Sequence, residues 1–193
     1  GGRNAGDFLR LLGNGEDFGL KAIHYAYQKG EGGIAEALEL ARHFVGNERH
    51  VVILGDNIIE DDIGEFVKTF AKQKNGAKIL LKEVEDAERF GVAEIEKGRV
   101  VRIVEKPKRP KTRLAVTGIY MYDEQVFGII DTLKRSERGE LEITDVNNAY
   151  IERGQLTYEL LSGFWSDAGT FESLLRANML VAEKLGKLKG VHA

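Results

Sequence analysis

The chemistry in this sequence is carried by a few acids, amides and cations placed beside glycines. Val51-Val52-Ile53-Leu54 is an apolar run that stops at Gly55 and then presents Asp56 and Asn57. Such a run suits a buried parallel strand covered on both faces. Gly55 would end the strand and let backbone approach a ligand closely. Open α/β folds bind ligands at the carboxyl ends of their strands, and a hard carboxylate there suits Mg²⁺ and its phosphates. Gly-Asp-Asn is also ordinary turn chemistry, and the residues alone leave both readings open. A second acid, Asp167, follows Trp165, the only tryptophan, and precedes Gly169 and Thr170. It reads equally as a plain helix cap, a role that Thr170 can also fill.

Three further stretches carry candidate chemistry. Gln28-Lys29-Gly30-Glu31-Gly32-Gly33-Ile34-Ala35-Glu36 is a glycine-rich loop leading into a helix. A helix N-terminus after such a loop can cradle a phosphate or nucleotide. The lysine and glycine spacings of a P-loop or a dinucleotide fingerprint are absent, and a flexible loop is the blander reading. Glu105-Lys106-Pro107 sets a lysine just outside a strand end, where it can grip a phosphate as a point charge or simply be solvated. Arg138, with Glu137, Glu140 and Glu142 around it, reads as an anchored arginine or as a charged helix entry.

The elements that must position these residues follow from periodicity. Asp7–Gly13 predicts a short amphipathic helix with Asp7 near its N-cap and a glycine stop. Leu20–Tyr27 alternates as a strand, and the spacing of Ile34, Leu38, Ala41, Phe44 and Val45 predicts a helix over 33–45. Asp61 is placed to cap a helix carrying Ile63, Phe66, Val67 and Phe70, and Ala77–Val84 predicts the next strand. Phe90–Val104 predicts a β-hairpin turning at Lys97-Gly98. Leu114–Tyr122 is a strong strand in which Gly118 marks a bulge or a close approach. Asp123 is placed to cap a helix with Val126, Ile129, Ile130 and Leu133. A helix ending near Gly154, a strand over 156–161 and a last helix from Thr170, with Phe171, Leu174, Leu175, Val181 and Leu185 packing on the sheet, complete the pattern. Strands alternating with helices give βαβ units. The expected fold class is therefore α/β, a mostly parallel twisted sheet with flanking helices and an antiparallel hairpin insertion.

Composition narrows the function classes. The 193 residues suffice for one domain with a sizeable core, and 42% hydrophobic with 31% charged residues is an ordinary globular balance. A net charge of -3 gives no reason to expect nucleic acid or an anionic membrane as a partner. No cysteine is present, which excludes disulfides, thiolate metal sites and a cysteine nucleophile and is compatible with a cytoplasmic location. No apolar run is long enough to span a bilayer, and no stretch reads as a signal peptide. The histidines His24, His43, His50 and His192 are scattered, without metal-ligand spacing. Twenty-three glycines against two prolines point to tight turns and close backbone approaches rather than disorder.

Taken in order, Gly55–Asn57, Phe-Gly-Val-Ala-Glu at Phe90–Glu94, Glu-Lys-Pro at Glu105–Pro107, Val-Thr-Gly-Ile-Tyr at Val116–Tyr120, Arg-Gly-Glu-Leu-Glu-Ile-Thr-Asp at Arg138–Asp145 and Trp-Ser-Asp-Ala-Gly-Thr at Trp165–Thr170 closely resemble the sugar-1-phosphate nucleotidyltransferases. The resemblance covers nearly the whole chain, and the Arg138–Asp145 run is its most specific piece. It implies a Rossmann-like nucleotide-diphospho-sugar transferase fold and condensation of a nucleoside triphosphate, dTTP or UTP, with glucose 1-phosphate, releasing pyrophosphate. It implies Mg²⁺ held by Asp56 and Asp167. It implies that Gln28 and Gly33 contact the nucleobase, with Ile34 beneath it, that Asn57, Gly91, Glu105 and Val116 bind the sugar, that Lys106 and Arg138 hold the sugar phosphate, and that Trp165 walls the pocket. The implied partners are these two substrates, with homo-oligomerisation left open and neither nucleic acid nor membrane. Phosphate attacking phosphate needs positioning and charge neutralisation rather than a protein nucleophile, which suits a chain that displays no triad.

The family opens with a strand and a Gly-x-Gly-Thr-Arg loop, followed by a lysine in a Pro-Lys context. This sequence starts Gly1-Gly2-Arg3-Asn4 and contains neither. The expectation is one truncated domain over 1–193, lacking the opening strands. Glu31 stands where thymidylyl-transferring members usually carry proline, which leaves the base preference open between thymine and uracil. Three hypotheses compete. They are a fragment of an active transferase, a non-catalytic relative that binds a nucleotide sugar or regulates assembly, and an unrelated α/β binding protein. The paired acids favour the first.

Overall fold

The computed structural model describes residues 5–186; the first four residues and His192 lie outside the described residues. The chain divides into two compact units. One takes the described residues up to Glu48 together with Glu124–Ala149. The other takes Arg49–Asp123 and the described residues from Tyr150 onward.

The first unit is helical. α1 (Ala5–Leu12) ends at Gly13, whose φ of +51° only a glycine adopts freely. The strand expected over 20–27 does not form. Leu20, Tyr25 and Tyr27 are exposed, and no strand among the described residues pairs with that segment; Leu20 N–H turns back to the Gly15 carbonyl at 3.0 Å, so alternation alone builds no ladder. The helix expected over 33–45 is split into α2 (Ile34–Glu39) and α3 (Arg42–Val45). Leu40 and Ala41 keep right-handed dihedrals, but Ala41 N–H bonds back only to Leu38 and Phe44 N–H only to Ala41, so the turn tightens to 3₁₀ spacing. Arg42 closes the unit from within. It donates to Glu39, to the Phe127 carbonyl at 3.0 Å and to Asp131 at 2.6 Å. The apolar residues of α5 (Gln125–Ile130) are buried, and α6 (Ile143–Glu152) starts in this unit.

The second unit is built on a six-stranded mixed sheet. β5 (Arg99–Glu105), β4 (Gly91–Glu96), β6 (Leu114–Tyr122), β3 (Ala77–Glu83) and β7 (Leu156–Leu160) lie in that order, and β1 (His50–Ile53) also pairs with β6. The α/β class holds, but the sheet is mixed rather than mostly parallel: among the described residues only β3–β7 is a parallel pair. The expectation of a doubly covered parallel β1 is corrected accordingly. β1 is antiparallel to β6, borders it on one side only, and leaves Ile53 exposed. The hairpin forms as expected, with Lys97 and Gly98 both at positive φ, as a two-residue type I′ turn requires. Val92 pairs with Ala115, joining the hairpin to the main sheet.

Two expected helix caps are used elsewhere. Asp61 does not cap α4 (Gly64–Ala71); it accepts from Ser162 Oγ at 2.5 Å and Gly163 N–H at 2.8 Å, while Asp62 takes the Gly64 N–H. Asp123 is buried and binds Gly76 N–H at 2.5 Å and the Tyr150 hydroxyl at 2.7 Å. A local capping signal loses here to the need to satisfy buried groups. Thr170, not Asp167, caps α7 (Phe171–Lys184), in a reciprocal box with Ser173. The apolar side chains of α7 do not pack on the sheet. Phe171, Leu174, Leu175, Val181 and Leu185 are exposed, and the helix buries only Ser173 and Ala177. No helix among the described residues is long and apolar enough to cross a membrane.

Candidate active site

The site in the second unit forms where β6 changes neighbours. Along its first half β6 lies beside β4, and along its second half beside β1. Between them it bulges. Ile79 faces Tyr120 and Leu81 faces Val116, so three residues of β6 oppose one of β3. Gly118, within that bulge, would otherwise leave its N–H and C=O bare. Leu54 N–H donates to the Gly118 carbonyl at 2.8 Å, and Gly118 N–H donates to Asn57 Oδ1 at 2.8 Å. A Cβ on Gly118 would collide with the Asn57 amide, so the close approach is filled by a side chain of this chain.

Asn57 opens β2 (Asn57–Ile59), whose partner is β8 (Trp165–Asp167). The register sets Asn57 opposite Asp167 and Ile59 opposite Trp165. Two acids 111 positions apart in sequence thus meet at one end of a short ribbon. Ala168 N–H donates to the Asp56 carbonyl at 2.7 Å, tying the two strand ends together. A point one Cβ out from Gly169 lies 3.3 Å from Asp56 Oδ2 and 3.6 Å from Asp167 Oδ2, so both carboxylates border the same space. Asn57 organises this end. Its Nδ2 donates to Asp56 Oδ1 at 2.8 Å, and its Oδ1 also accepts Trp165 Nε1–H at 2.7 Å. Trp165 is buried in an apolar cluster with Leu80, Ala115, Ile119 and Leu161, and Phe90 sets its edge against the indole, with ring centroids 5.0 Å apart.

Gly91 and Glu105 are direct partners at the open end of the hairpin, and the register that pairs Val92 with Ala115 brings Gly91 beside Val116. Lys106 follows at φ +41°, a left-handed conformation that is sparsely populated for a residue before proline. Its N–H is spent on the Phe90 carbonyl at 3.0 Å, and its exposed side chain stands 4.0 Å from Glu105. Such strain is retained where the surroundings fix it, as they do at many functional sites. Below lies Tyr120, whose hydroxyl is pushed well above its ordinary pKa by burial and then by the nearby Glu105 and Asp56 carboxylates.

Asp56 and Asp167 are the carboxylates that border the space beside Gly169 among the described residues. No group of three or more metal-ligating side chains occurs among the described residues. Mg²⁺ is commonly bound through one or two carboxylates, with waters and substrate phosphates completing its shell, so the pair fits that ion. Arg89, absent from the expected site, donates to Asp167 Oδ2 at 3.0 Å and to Asp86 at 2.8 Å, and lies 5.1 Å from the Phe90 ring centre. It offsets charge around the acids and restrains Asp167. Nothing in its spacing from the two acids marks it, because the contact is made across 78 residues.

The second unit therefore brings together Asp56, Asn57, Gly91, Glu105, Lys106, Val116, Trp165 and Asp167. Gln28, Gly33, Ile34 and Arg138 lie in the first unit. There Gly33, at φ +94°, precedes α2 and comes so close to the Leu141 carbonyl that a Cβ could not fit. Leu141 N–H donates to the Gly32 carbonyl at 2.8 Å and Ala35 N–H to the Leu141 carbonyl at 3.3 Å, pinning the glycine loop to the segment after Arg138. Ile34 starts α2, half-buried. Gln28 donates to the Gly33 carbonyl and to Glu36. Of the two readings that Arg138 allowed, the ion pairs fit the anchored arginine, with Glu142 at 2.8 Å and Glu140 at 3.4 Å.

Comparison with known proteins agrees with this fold. The nucleotidyl transferase family matches residues 3–184. A glucose-1-phosphate thymidylyltransferase of Neisseria meningitidis is 45% identical over 178 residues, which cover 90% of this chain and 62% of the relative. The chain thus spans a little over six tenths of that relative's length. A Bacillus anthracis protein assigned as a glucose-1-phosphate thymidylyltransferase, solved with sucrose, superposes with a TM-score of 0.86 at 53% identity over 97% of this chain and 74% of that one. A UDP-glucose pyrophosphorylase complexed with UDP-glucose shares the fold, with a TM-score of 0.77 at 24% identity over 93% of this chain and 73% of that one.

Proposed function

The chain belongs to the nucleotidyl transferase family, and from that membership we propose that it transfers a nucleotidyl group from dTTP or UTP to glucose 1-phosphate, as one transferase domain. A phosphate oxygen of the sugar 1-phosphate attacks the α-phosphorus of the triphosphate. An oxygen–phosphorus bond forms, the bond to the β-phosphate oxygen breaks, and pyrophosphate leaves. The observation that carries this reading is the convergence of Asp56 and Asp167 beside Gly169, on a ribbon end tied down by Asn57 and Trp165.

The residues divide the work. Asp56 and Asp167 would hold Mg²⁺, which supplies charge neutralisation at the phosphates when bound. Lys106 meets the sugar phosphate as a point charge, and Arg138, already oriented by Glu142, is a second cation for it. Asn57, Gly91, Glu105 and Val116 bind the sugar, and Trp165 walls its pocket. Gln28 and Gly33 meet the base above Ile34. The resting side chains need no proton shuttle, because the attacking group is already an anion. A cytoplasmic location is compatible with the cysteine-free sequence.

The test is pyrophosphate release with glucose 1-phosphate, Mg²⁺ and each of dTTP, UTP, ATP, CTP and GTP, by this chain and by the full-length gene product. Turnover with dTTP or UTP is expected from the full-length protein. Absence of turnover in both, with saturable binding of a nucleotide sugar, would replace this reading by that of a non-catalytic binding relative.

A further inference from the structure

Gln28 is a half-buried amide whose nitrogen is fully committed. Nε2 donates to the Gly33 carbonyl at 3.1 Å and to Glu36 Oε2 at 2.9 Å, which uses both of its hydrogens. Oε1 accepts no hydrogen bond from the described residues. Both partners of Nε2 are oxygens without hydrogens, so turning the amide over would set oxygen against oxygen; chemistry fixes the orientation. Glu36 is held in turn. Arg135 donates to Glu36 Oε1 at 2.5 Å and to the Gly139 carbonyl at 2.7 Å. Gly32 makes room for this arrangement: a Cβ there would collide with the Glu36 carboxylate, so the bare α-carbon is the seat on which the acid rests. The Gln28 amide and then the Arg135 guanidinium hold the Glu36 carboxyl below its ordinary range, so it is an acceptor throughout neutral pH.

We propose that Glu36, clamped by Arg135, is a positioning residue that locks the Gln28 amide with its carbonyl oxygen outward, so that the protein selects uracil and thymine over cytosine. This rests on the transferase reading, in which Gln28 meets the nucleobase. Uracil and thymine carry an N–H at ring position 3, which Oε1 can accept. Cytosine has a lone pair at that position, which in the same pose faces the lone pairs of Oε1. A buried acceptor left unpaired costs about 1–3 kcal/mol, equivalent to about 5–150-fold in binding. A freely turning amide would lose that discrimination, because it can offer Nε2 to cytosine.

The experiment is calorimetric titration of the full-length protein with UTP and CTP, for the wild type, Glu36→Leu and Glu36→Gln. The wild type is expected to favour UTP. Glu36→Leu should lower the UTP-to-CTP ratio by about tenfold or more, partly through a gain in CTP affinity, which a merely structural lesion does not produce. Glu36→Gln keeps an acceptor oxygen and should restore most of the ratio. Arg135→Met loosens the clamp from its other side and should lower the ratio even if Glu36→Leu does not fold. An unchanged ratio in both Glu36→Leu and Arg135→Met overturns the proposal. Equal binding of UTP and CTP by the wild type overturns it too, while pyrophosphate release leaves the transferase reading standing. Failure of the wild type to bind any triphosphate overturns both.

Discussion

The acid pair of the second unit and the glycine loop of the first are held in opposite ways. Asp56 and Asp167 stand on paired strands, and their neighbours Asn57 and Trp165 are bonded into a buried apolar cluster and a bulge in β6. Gln28 and Gly33 stand on irregular backbone. Their places depend on positive-φ glycine and on a relay of partly exposed side chains, Arg135 to Glu36 to Gln28. The first arrangement is rigid because moving any member opens a packed core. The second is held by directed side-chain bonds near the surface, each of them open to competition from water. In the proposed assignment the metal-holding acids stand on the first kind of support, and Gln28 and Gly33, which would meet the base, on the second.

The sharpest way to break this contrast is to remove a charge from the rigid side. Asp56→Asn and Asp167→Asn keep the shape of the site while deleting a hard ligand, and each should lower pyrophosphate release by about a thousandfold. Circular dichroism and the melting curve should stay near those of the wild type, because neither carboxylate carries the core. Activity near the wild-type level in either variant would remove the metal assignment.

Gly118→Ala tests the rigidity itself. The added methyl has no room beside the Asn57 amide, so Asn57 must move and release Trp165 Nε1. Overpacking of this kind costs about 1–3 kcal/mol, and the loss should appear as a lower denaturant midpoint together with a weaker affinity for glucose 1-phosphate. An unchanged midpoint would show the bulge to be soft. Lys106→Ala, on the rim of the same site, leaves the core intact. It should raise the KM for the sugar phosphate about 10–100-fold, and far more than the KM for the triphosphate, as expected for one charge-assisted bond. An equal rise in both would take Lys106 off the sugar phosphate.

How far sequence reasoning reaches divides along a similar line. The hairpin was legible because its signal is local: alternation on each side and Lys97-Gly98 at the turn. β6 was legible from the apolar and β-branched run over Leu114–Tyr122, and Gly118 from its interruption of that run. Segments whose fate depends on distant partners were not. Leu20–Tyr27 alternates like a strand and finds no strand to pair with, while Asp61 and Asp123 look like caps and are claimed by Gly163 and Gly76. Within the site, the resemblance gathered Asp56, Asn57, Trp165 and Asp167 from two stretches, and the β2–β8 register brings them together. Arg89, Glu36 and Arg135 escaped because a charged residue on a surface helix or loop carries no mark of its partner 78 or 99 positions away.

The smallest expected effect concerns the relay around Glu36. Glu36 lies below its ordinary carboxyl value of 4.5 through its bond from Gln28 and then through Arg135. A group whose folded-state pKa is lowered adds stability above its unfolded value, and that share is lost as pH falls through the lowered folded value. The difference in melting temperature between the wild type and Glu36→Gln should therefore be level across neutral pH and shrink only below 4.5, because the amide does not titrate. The shift is small, since water competes for every bond in the relay. A difference that instead changes between pH 6 and 8 would assign the pH response to another group. A difference absent at every pH would mean that the relay orients Gln28 through hydrogen bonding alone, without any contribution from the charge of Glu36.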